Sequence, residues 1–502
     1  MQGTPWAARL WGNQARLTVL LVATLVLLFG MLGAREIWTQ EHRWADIVYY
    51  MFYHHDFLHP VLNGNEYYDK PLLSYWFISA IVAFSGKITT WAIRLPSAFA
   101  GLLAIWSLYR IGTQLENKHF GLLAAWLLLT TYYFSFWSRV SSTDMLNLGG
   151  ILYAVAWYSE HRQHTTFYAY SVFFLIMAIT ALCKGLVAPA VVLLVVLPDL
   201  VLQKTWKKHA GNWRLWVAWL PALFVYVLPF WASAYFGGQH YQSNGLGIMY
   251  RENIMRYFKP FDHQEPLYVY FIYLPVYLLP WAFFFVPALV YCVRHFRSLT
   301  KNVQWMGWAL LALFLFFTLS GSRRGYYVLP LVPFALLLTA YWIQWGVARY
   351  RWAGYTAVVF YSVFAFNYII LQPLFYSSGG VMTFAEVLHH TTDKRKPWSA
   401  WQFTLLDAQT KVSFYLHLSP DVKNYGIYGL REEQTVQTLQ KTWPPFKTIP
   451  TNTIIITRRL YEPVLNPVLK DFILVEAAPN YLERFLHKKD PDAPVAYVPK
   501  SY

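Results

Sequence analysis

Charged residues are scarce in this 502-residue sequence. Asp, Glu, Lys and Arg make up 13% of the chain, whereas a soluble globular domain has about 25%. Apolar residues make up 57%, and the mean hydropathy is +0.30. Because a charge placed in hydrocarbon is costly, this depletion excludes an ordinary soluble enzyme and indicates a polytopic α-helical membrane protein.

Cysteine is almost absent, and this excludes another class of protein. The two cysteines, Cys183 and Cys292, both lie in or beside apolar runs, so the disulfide framework of a small secreted domain is not expected. No A-x-A-like cleavage site follows the apolar residues 18–34. We therefore expect a retained first membrane helix and not a removable signal peptide.

Acidic residues are also few, since 25 Asp and Glu stand against 41 Lys and Arg and give a formal net charge of +16. In a nucleic-acid-binding protein, such an excess is expected to gather in a folded polar domain. Here most basic residues flank apolar runs, as the signals that orient membrane helices do. The sequence therefore predicts contact with membrane lipid and no nucleic-acid partner.

Apolar runs fill most of residues 1–375, which we interpret as a transmembrane domain. The run at 71–85 is short and begins with a proline, which is typical of an interfacial or re-entrant helix. Roughly eleven crossings remain, within a predicted range of about 11–13 transmembrane helices. The runs lie near residues 16–35, 71–85, 90–112, 119–138, 145–159, 166–183, 186–203, 213–236, 268–293, 304–320, 326–346 and 352–373.

The basic residues also predict an orientation, because loops rich in Lys and Arg stay in the cytoplasm. With Arg9 and Arg16 inside, the later inside loops contain "YRIGTQLENKHF", "SEHRQHTTF", "QKTWKKHAGNWR", "RHFRSLTKN" and "VARYRW". The outside then receives the loops 36–89 and 237–267, the segments around Asp144 and Lys184, "SGSRRGYY" and the tail. Basic residues on the outer side depart from the rule and are therefore functional candidates.

Residues 376–502 have a different character, because charged residues return and short alternating patterns appear. The strand-like segments are "WQFTLLDA", "NYGIYG" and "NTIIITRRL", and the helix-like segments are "TKVSFYLHLS", "EEQTVQTLQKTW" and "PVLKDFILVE". Together they predict a small α/β domain on the outer side of the membrane. The Pro-rich "KKDPDAPVAYVPK" is predicted to be a frayed end.

Ionisable residues at a membrane edge are functional candidates, because burying them without a partner is costly. Carboxylates in separate outer loops can activate a hydroxyl nucleophile, and cations can neutralise a departing phosphate. Arginine offers a two-pronged donor to phosphate oxygens, and "RRGYY" adds tyrosine hydroxyls. The outer-face candidates are Glu41, Arg43, Asp46, Asp69, Lys70, Asp144, Lys184, Glu252, Arg256, His263, Arg323 and Arg324.

Eight short motifs occur in order: "QEHRWADI", "YYDKPLLSYW", "AIRLPSAFAG", "SRVSSTDM", "ALCKGLVAP", "ENIMRYF", "LLPWAFF" and "RRGYYVLPLVP". This set resembles the bacterial aminoarabinose transferases, a branch of the membrane GT-C glycosyltransferases that is related to protein O-mannosyltransferases. The tail segment "VSFYLHL" is similar to the periplasmic domain of those enzymes. The resemblance implies a GT-C fold and an inverting sugar transfer from an undecaprenyl-phosphate carrier at the periplasmic face of the bacterial inner membrane.

The resemblance also implies roles for particular residues. The family's Asp-Glu pair followed by Arg matches Gln40, Glu41 and Arg43, so the Asp is missing and Glu41 must supply the carboxylate. The family's Glu-Lys-Pro motif has Asp in place of Glu here, and its second acidic site matches Asp144. The implied catalytic residues are Glu41 and Asp144, the implied donor-phosphate ligands are Arg43, Lys70, Arg256, Arg323, Arg324 and Tyr326, and a divalent metal, if used, would take Asp69 and His263.

Each of these assignments has a structural alternative. Glu41 and Arg43 would then lie on a solvated surface helix, and Asp144 would only cap a helix. Arg323 and Arg324 would extend toward the outer headgroups. Glu252 and Arg256 would form only a helix-surface pair, and His263 would be an ordinary polar loop residue.

The function also has alternatives. The acceptor implied by the resemblance is lipid A or a related glycolipid, and a protein Ser or Thr would be the acceptor of an enzyme like a protein O-mannosyltransferase. A lipid-linked sugar transporter or flippase would also have many helices and basic sites, but transporters typically show paired repeats and broken helices near the midplane. A catalytically inactive homologue that binds polyprenyl lipid is a further alternative, since Gln40 replaces an acid.

Overall fold

The computed structural model describes residues 13–38, 40–62, 65–236, 247, 250–259, 264–377, 379–426 and 449–500. These residues form two compact units, and each is interrupted along the chain. The first unit contains the described residues of 1–32, 57–60 and 66–368. The second contains those of 33–56, 61–65 and 369–502, so the segment that follows the first helix groups with the tail.

The described part of the first unit is mainly helical. Several of its helices begin at a Ser, Thr or Asn whose side chain accepts a hydrogen bond from a backbone N–H of the first turn, as Ser142 and Thr89 do. The described α-helices of this unit are Asn13–Phe29, Leu73–Ser85, Thr90–Leu115, Lys118–Leu129, Tyr132–Ser138, Thr143–His161, Phe167–Lys184, Val187–Leu202, Trp206–Ala210, Trp213–Ala218, Leu220–Phe236, Arg256–Phe258, Val269–Tyr277, Ala282–Arg294, Lys301–Leu319, Val332–Gln344 and Val347–Phe366, with 3₁₀ turns at Phe296–Ser298 and Gly325–Leu331 and a π turn at Arg251–Met255. A second π turn, Asn367–Leu371, begins in this unit and ends in the second.

The described helices confirm a polytopic membrane protein. Six of them are long and apolar enough to cross a membrane, or eight spans result if each of two bent helix pairs counts as one. Three shorter apolar helices also occur, among them Leu73–Ser85, which has 13 residues. At a rise of about 1.5 Å per residue such a helix is about 20 Å long, shorter than the hydrocarbon core. The number of crossings therefore stays a prediction.

Two apolar runs that look continuous in the sequence are bent. Lys118–Leu129 and Tyr132–Ser138 meet at 72°, and Val269–Tyr277 and Ala282–Arg294 meet at 117°. In the first pair, the hydroxyl of Thr131 donates to Leu127 O at 2.8 Å at the end of the helix. Between the second pair stands Pro280, which lacks an N–H and cannot continue a helix. Hydropathy does not reveal either bend.

Small residues allow close contact between the central helices of the first unit. A Cβ added at Gly149 would lie 2.7 Å from Ala100 O, so the helices Thr143–His161 and Thr90–Leu115 pack with their backbones close together. Two buried arginines satisfy backbone carbonyls near the end of the first helix. Arg94 donates to Leu32 O at 3.0 Å, and Arg139 donates to Leu27 O at 2.8 Å. Such carbonyls need protein donors where water is absent.

The second unit contains an α/β domain with a five-stranded sheet. Two two-residue strands, β1 (Val61–Leu62) and β2 (Asn65–Glu66), precede it in the chain. The five-stranded sheet contains β3 (Gln402–Leu406), β4 (Asn424–Tyr425), β5 (Thr453–Arg458), β6 (Phe472–Glu476) and β7 (Pro494–Pro499), in the order β4-β3-β5-β7-β6. Strand β3 is parallel to β4 and β5, whereas β7 is antiparallel to β5 and β6. The helices of the unit are His42–His54, Gln372–Tyr376, Val381–Asp393, Thr410–Tyr415, Glu462–Leu465 and Tyr481–Leu486.

The structure confirms part of the prediction for the tail and corrects two segments. Strands β3, β4 and β5 and the helix Thr410–Tyr415 occur where the patterns predicted them, and the predicted helix at 432–443 lies outside the described residues. The helical prediction for "PVLKDFILVE" is wrong over β6. The prediction of a frayed end is also wrong, because all six residues of β7 are buried and lie between β5 and β6.

Candidate active site

Glu41 directly precedes the helix His42–His54 in the second unit, and its side chain is fully buried. Its Oε2 accepts a hydrogen bond from Trp38 N at 2.7 Å and lies 3.5 Å from Arg35 Nη2. A buried carboxylate requires such partners, because an isolated charge is strongly disfavoured away from water. The alternative of a solvated surface residue is therefore wrong for Glu41.

Two further candidates lie on this helix. Arg43 and Asp46 are both half-buried. Burial raises the pKa of Asp46 from 3.8 to about 7, because desolvation disfavours the charged carboxylate. A carboxyl group with this pKa changes its protonation state near neutral pH, as acid–base groups often do. The sequence identified Asp46 as an outer-face acid without assigning it a role.

Sequence reasoning missed Glu36, which lies five residues before Glu41. Its Oε1 accepts hydrogen bonds from Val381 N at 2.5 Å and Met382 N at 3.2 Å, at the start of the helix Val381–Asp393. Its Oε2 accepts from Lys411 Nζ at 2.7 Å. The carboxylate therefore satisfies N–H groups at a helix N-terminus, where negative charge is favourable. Glu36 binds the segment that carries Glu41 to the tail, within the second unit.

Asp69 and Lys70 form an ion pair in the first unit. Lys70 Nζ lies 2.9 Å from Asp69 Oδ1, and the hydroxyl of Tyr67 donates to Asp69 Oδ2 at 3.1 Å. Both charged side chains are largely buried, with 19% of Lys70 and 28% of Asp69 exposed. An anion that bound Lys70 would therefore compete with Asp69 for its ammonium group.

Asp144 lies in the first turn of the helix Thr143–His161. Its backbone N–H donates to the Ser142 hydroxyl at 3.0 Å, and the same hydroxyl donates to Asp144 Oδ2 at 2.8 Å. The other carboxylate oxygen forms an ion pair with Lys184, at the end of the neighbouring helix Phe167–Lys184. Ser142 and not Asp144 caps the helix. The carboxylate is thus held in place by one hydroxyl and one cation.

Two tyrosines lie near this ion pair, and one of them, Tyr327, belongs to the motif "RRGYY". Lys184 Nζ lies 5.4 Å from the centre of the Tyr327 ring. Tyr277 and Tyr327 both interact electrostatically with Asp144, and Tyr327 interacts in the same way with Arg256 and Arg324. The structure therefore brings together four charged residues that the sequence placed in separate loops. We call Asp144, Lys184, Arg256, Arg324 and Tyr327 the anion cluster.

The two adjacent arginines have different surroundings. Arg323 donates to the backbone oxygens of Glu265 and Ser320, both at 2.5 Å, so its guanidinium holds two loops together. Arg324 donates to the Tyr326 hydroxyl at 2.6 Å, and the Tyr326 ring lies 5.3 Å from that of Trp137. Arg324 with Tyr326 is therefore a candidate for phosphate binding, whereas Arg323 binds mainly backbone oxygens.

The residues suggested for a metal do not form a site in the described part of the chain. Asp69 is bound by Lys70 and Tyr67, and His263 lies outside the described residues. Among the residues that the structure describes, no group of three or more His, Cys, Asp or Glu side chains could hold a metal ion.

Comparison with known proteins identifies related chains. A family model described as dolichyl-phosphate-mannose-protein mannosyltransferase matches residues 69–232. An undecaprenyl phosphate-alpha-4-amino-4-deoxy-L-arabinose arabinosyl transferase of Shewanella sediminis is 25% identical over 340 residues, which cover 65% of this chain and 60% of that protein. The enzyme of the same name from Yersinia enterocolitica is 28% identical over 346 residues, covering 66% and 59%. The match thus spans about three fifths of each relative.

Solved structures show the same architecture. The structure of ArnT from Cupriavidus metallidurans bound to undecaprenyl phosphate has a TM-score of 0.70 at 18% identity, covering 96% of this chain and 98% of ArnT. The chain therefore has the GT-C fold of ArnT and is similar in sequence to the aminoarabinose transferases. A more distant fold similarity links this chain to the mycobacterial arabinofuranosyltransferase AftD, with a TM-score of 0.52 at 12% identity over 98% of this chain and 40% of AftD.

Proposed function

We propose that this chain transfers a sugar from an undecaprenyl-phosphate-linked donor to lipid A or a related glycolipid. The anion cluster carries the proposal, because it places three cations and one acidic residue around Tyr327 in a chain with the GT-C fold. A transferase that releases a lipid phosphate needs positive charge at this point, because the leaving phosphate develops negative charge as its bond to the sugar breaks. The ArnT structure, which binds undecaprenyl phosphate, supports the choice of donor.

In the proposed reaction, the acceptor hydroxyl oxygen bonds to the anomeric carbon of the donor sugar. The bond from that carbon to the phosphate oxygen breaks, and undecaprenyl phosphate leaves with the electron pair. Glu41 takes the hydroxyl proton, since a carboxylate enclosed by protein has few competing waters. A single displacement of this kind inverts the configuration at the anomeric carbon.

The cations bind the donor phosphate in this proposal. Arg256 and Arg324 approach the phosphate oxygens, and the Tyr326 hydroxyl that accepts from Arg324 orients that guanidinium. Lys184 balances Asp144, and Lys70 exchanges its contact with Asp69 for the phosphate. Arg43 supplies a further cation, and Arg323 acts by holding the loop that contains Arg324.

The reaction is proposed to take place at the periplasmic face of the bacterial inner membrane. The basic loops between the apolar runs support this orientation, because Lys and Arg accumulate on the cytoplasmic side. Glu41, Asp144 and the anion cluster all come from segments that the same rule assigns to the outside.

The proposal is tested with the full chain in detergent, a polyprenyl-phosphate-sugar extract and lipid A, with the product identified by mass spectrometry. We expect wild type to add one sugar mass to lipid A. The substitutions Glu41→Gln and Asp144→Asn should each lower the rate by roughly 10²-fold or more, as loss of a general base or an electrostatic group does. The exposed residues Glu386 and Asp393 provide matched controls as Glu386→Gln and Asp393→Asn.

Transfer that survives in both Glu41→Gln and Asp144→Asn would contradict the assigned roles. No product with wild type and any glycolipid would contradict the transferase proposal and favour a transporter. That alternative is measured separately, by movement of the donor across the bilayer of a proteoliposome.

A protein acceptor is the second candidate, and one observation favours it. The family model that matches residues 69–232 is described as a protein mannosyltransferase. The same assay with a periplasmic protein extract in place of lipid A separates the two. Sugar added to Ser or Thr of a protein, with none on lipid A, would establish the second candidate.

A further inference from the structure

The α/β domain contains an open groove that the proposed chemistry does not use. Its volume is about 620 Å³, and it lies beside the edge of the sheet formed by β3 and β4. Its lining includes Trp398, Phe403, Gln402, Asp421 and Lys423. All of these residues belong to the second unit. Their chemistry indicates what the groove can bind.

Flat aromatic rings form one wall. The Trp398 and Phe403 ring centres are 4.7 Å apart, and the His389 ring centre lies 3.7 Å from that of Trp398, with both pairs of rings tilted. Trp398 is only half-buried, although it packs against the core of the domain. These ring contacts hold Trp398 in place, and Trp398 and Phe403 together line the groove. Such a rigid aromatic surface suits the C–H face of a sugar ring.

Polar groups of different types lie around the same groove. Gln402, Asp421 and Lys423 are exposed, and they supply an amide, a carboxylate and an ammonium. A binding site usually combines aromatic walls with a few polar groups that fix the ligand's orientation. Because the positive and the negative group offset each other, the lining fits a ligand with many hydroxyl groups better than a strongly charged ligand. The combination therefore points to a saccharide.

The rim of the groove is connected to the helix that follows Glu41. The Tyr49 hydroxyl donates to His417 O at 3.1 Å, and His54 Nε2 lies 4.0 Å from Asp421 Oδ1. His417 and Asp421 both line the groove. Glu41 and His54 stand at opposite ends of this helix, about 20 Å apart at 1.5 Å per residue. Several linked sugar rings could span that distance.

We propose that this groove binds a distal sugar of the acceptor glycan, while the acceptor hydroxyl is activated at Glu41. This inference rests on the proposed function. It adds that the acceptor of the transferase contains further sugars beyond the one that reacts. The helix His42–His54 sets the distance between Glu41 and the rim of the groove.

Direct binding tests the groove without any need for transfer. Isothermal titration of the full chain in detergent uses two lipid-free probes, deacylated lipopolysaccharide with its core sugars and deacylated lipid A without them. We expect the longer probe to bind roughly tenfold more tightly, as one or two extra hydrogen bonds would give. Gln402→Ala with Lys423→Ala should abolish that difference, whereas the exposed Lys470→Ala serves as the control.

Equal binding of the two probes, or an unchanged difference in the double variant, overturns the groove proposal. The transfer assay then adds a second measurement. The double variant should raise KM roughly tenfold for the acceptor with core sugars and leave both kcat and the KM for lipid A unchanged. Failure of all transfer would contradict the proposed function, but the titration would still decide whether the groove binds saccharide.

Discussion

Asp46 shows how one buried acidic group makes stability depend on pH. Its pKa is about 7 in the folded chain and near 3.8 when exposed. Below about pH 4 both states hold the proton, so Asp46 does not change stability there. Between about pH 4 and about pH 7 the unfolded chain releases a proton that the folded chain keeps, so the free energy of unfolding falls as pH rises. Above about pH 7 both states have released the proton, and the free energy of unfolding does not fall further because of Asp46.

The substitution Asp46→Asn should remove this dependence. We expect its melting temperature to exceed that of wild type by about 2–8 °C at pH 8 and to equal it near pH 4. Thermal unfolding of the full chain, followed by intrinsic fluorescence across this pH range, measures the difference. The exposed Asp393→Asn is the control, and an equal shift of Asp46→Asn at both pH values would contradict the explanation.

Glu36 makes a second prediction at the scale of one residue. Its carboxylate accepts two backbone N–H groups of the helix Val381–Asp393 and the ammonium of Lys411. Glu36→Gln keeps the size of the side chain but removes its charge. A hydrogen bond to a charged group contributes about 1.5–3 kcal/mol, so local opening at Val381 and Met382 should become roughly 10- to 100-fold more frequent.

Hydrogen exchange of the full chain measures this opening. Backbone N–H groups at the start of the helix should exchange faster in Glu36→Gln, and those in β5 should not change. The control is Glu386→Gln, because Glu386 is exposed on the same helix. Equal exchange in the two variants would show that the Glu36 contacts are not formed in solution.

The sequence identified the charged residues better than it predicted their partners. Asp144, Lys184, Arg256 and Arg324 were all recognised as outer-face residues, because ionisable groups are conspicuous in an apolar chain. Their grouping depends on helix packing, which no local pattern encodes. Glu36 was missed for the same reason, since its partners lie more than 300 residues away in the chain.

Strand β7 illustrates the limits of sequence reasoning at the scale of an element. Prolines at both ends, Pro494 and Pro499, are typical of a frayed terminus, yet they bound the strand that lies between β5 and β6. Pairing on both sides buries the strand, and this long-range pairing outweighs the local signal. Strand β6 was missed similarly, because the five residues "FILVE" are too few for periodicity to distinguish strand from helix.

Removal of β7 provides the test at this scale. A chain that ends after Asp490 loses the strand and leaves β5 and β6 without their shared neighbour. We expect the α/β domain to lose its cooperative fold and to become sensitive to limited proteolysis. A chain that ends after Lys500 keeps all of β7 and should resist the protease as wild type does. Equal resistance of the two shortened chains would mean that β7 is dispensable.

At the scale of the whole molecule, composition predicted the class of protein and the comparisons bear this out. Scarce charge and repeated apolar runs indicated a polytopic membrane protein, and the described helices agree. The motifs led to the GT-C fold that the ArnT structure shows. What composition could not show is that residues 33–56 group with the tail. That grouping depends on contacts between distant segments, such as Glu36 with Lys411.

The orientation of the chain is the prediction that decides where its chemistry takes place. Basic loops place Lys118 and Lys301 in the cytoplasm and the tail with Lys470 outside. The native cysteines are both buried, so cysteines introduced as Lys118→Cys, Lys301→Cys and Lys470→Cys can be labelled selectively. In spheroplasts, a membrane-impermeant maleimide should label Lys470→Cys at once and the other two only after lysis. The opposite pattern would place the α/β domain in the cytoplasm, away from any periplasmic acceptor, and the proposed transfer could not occur there.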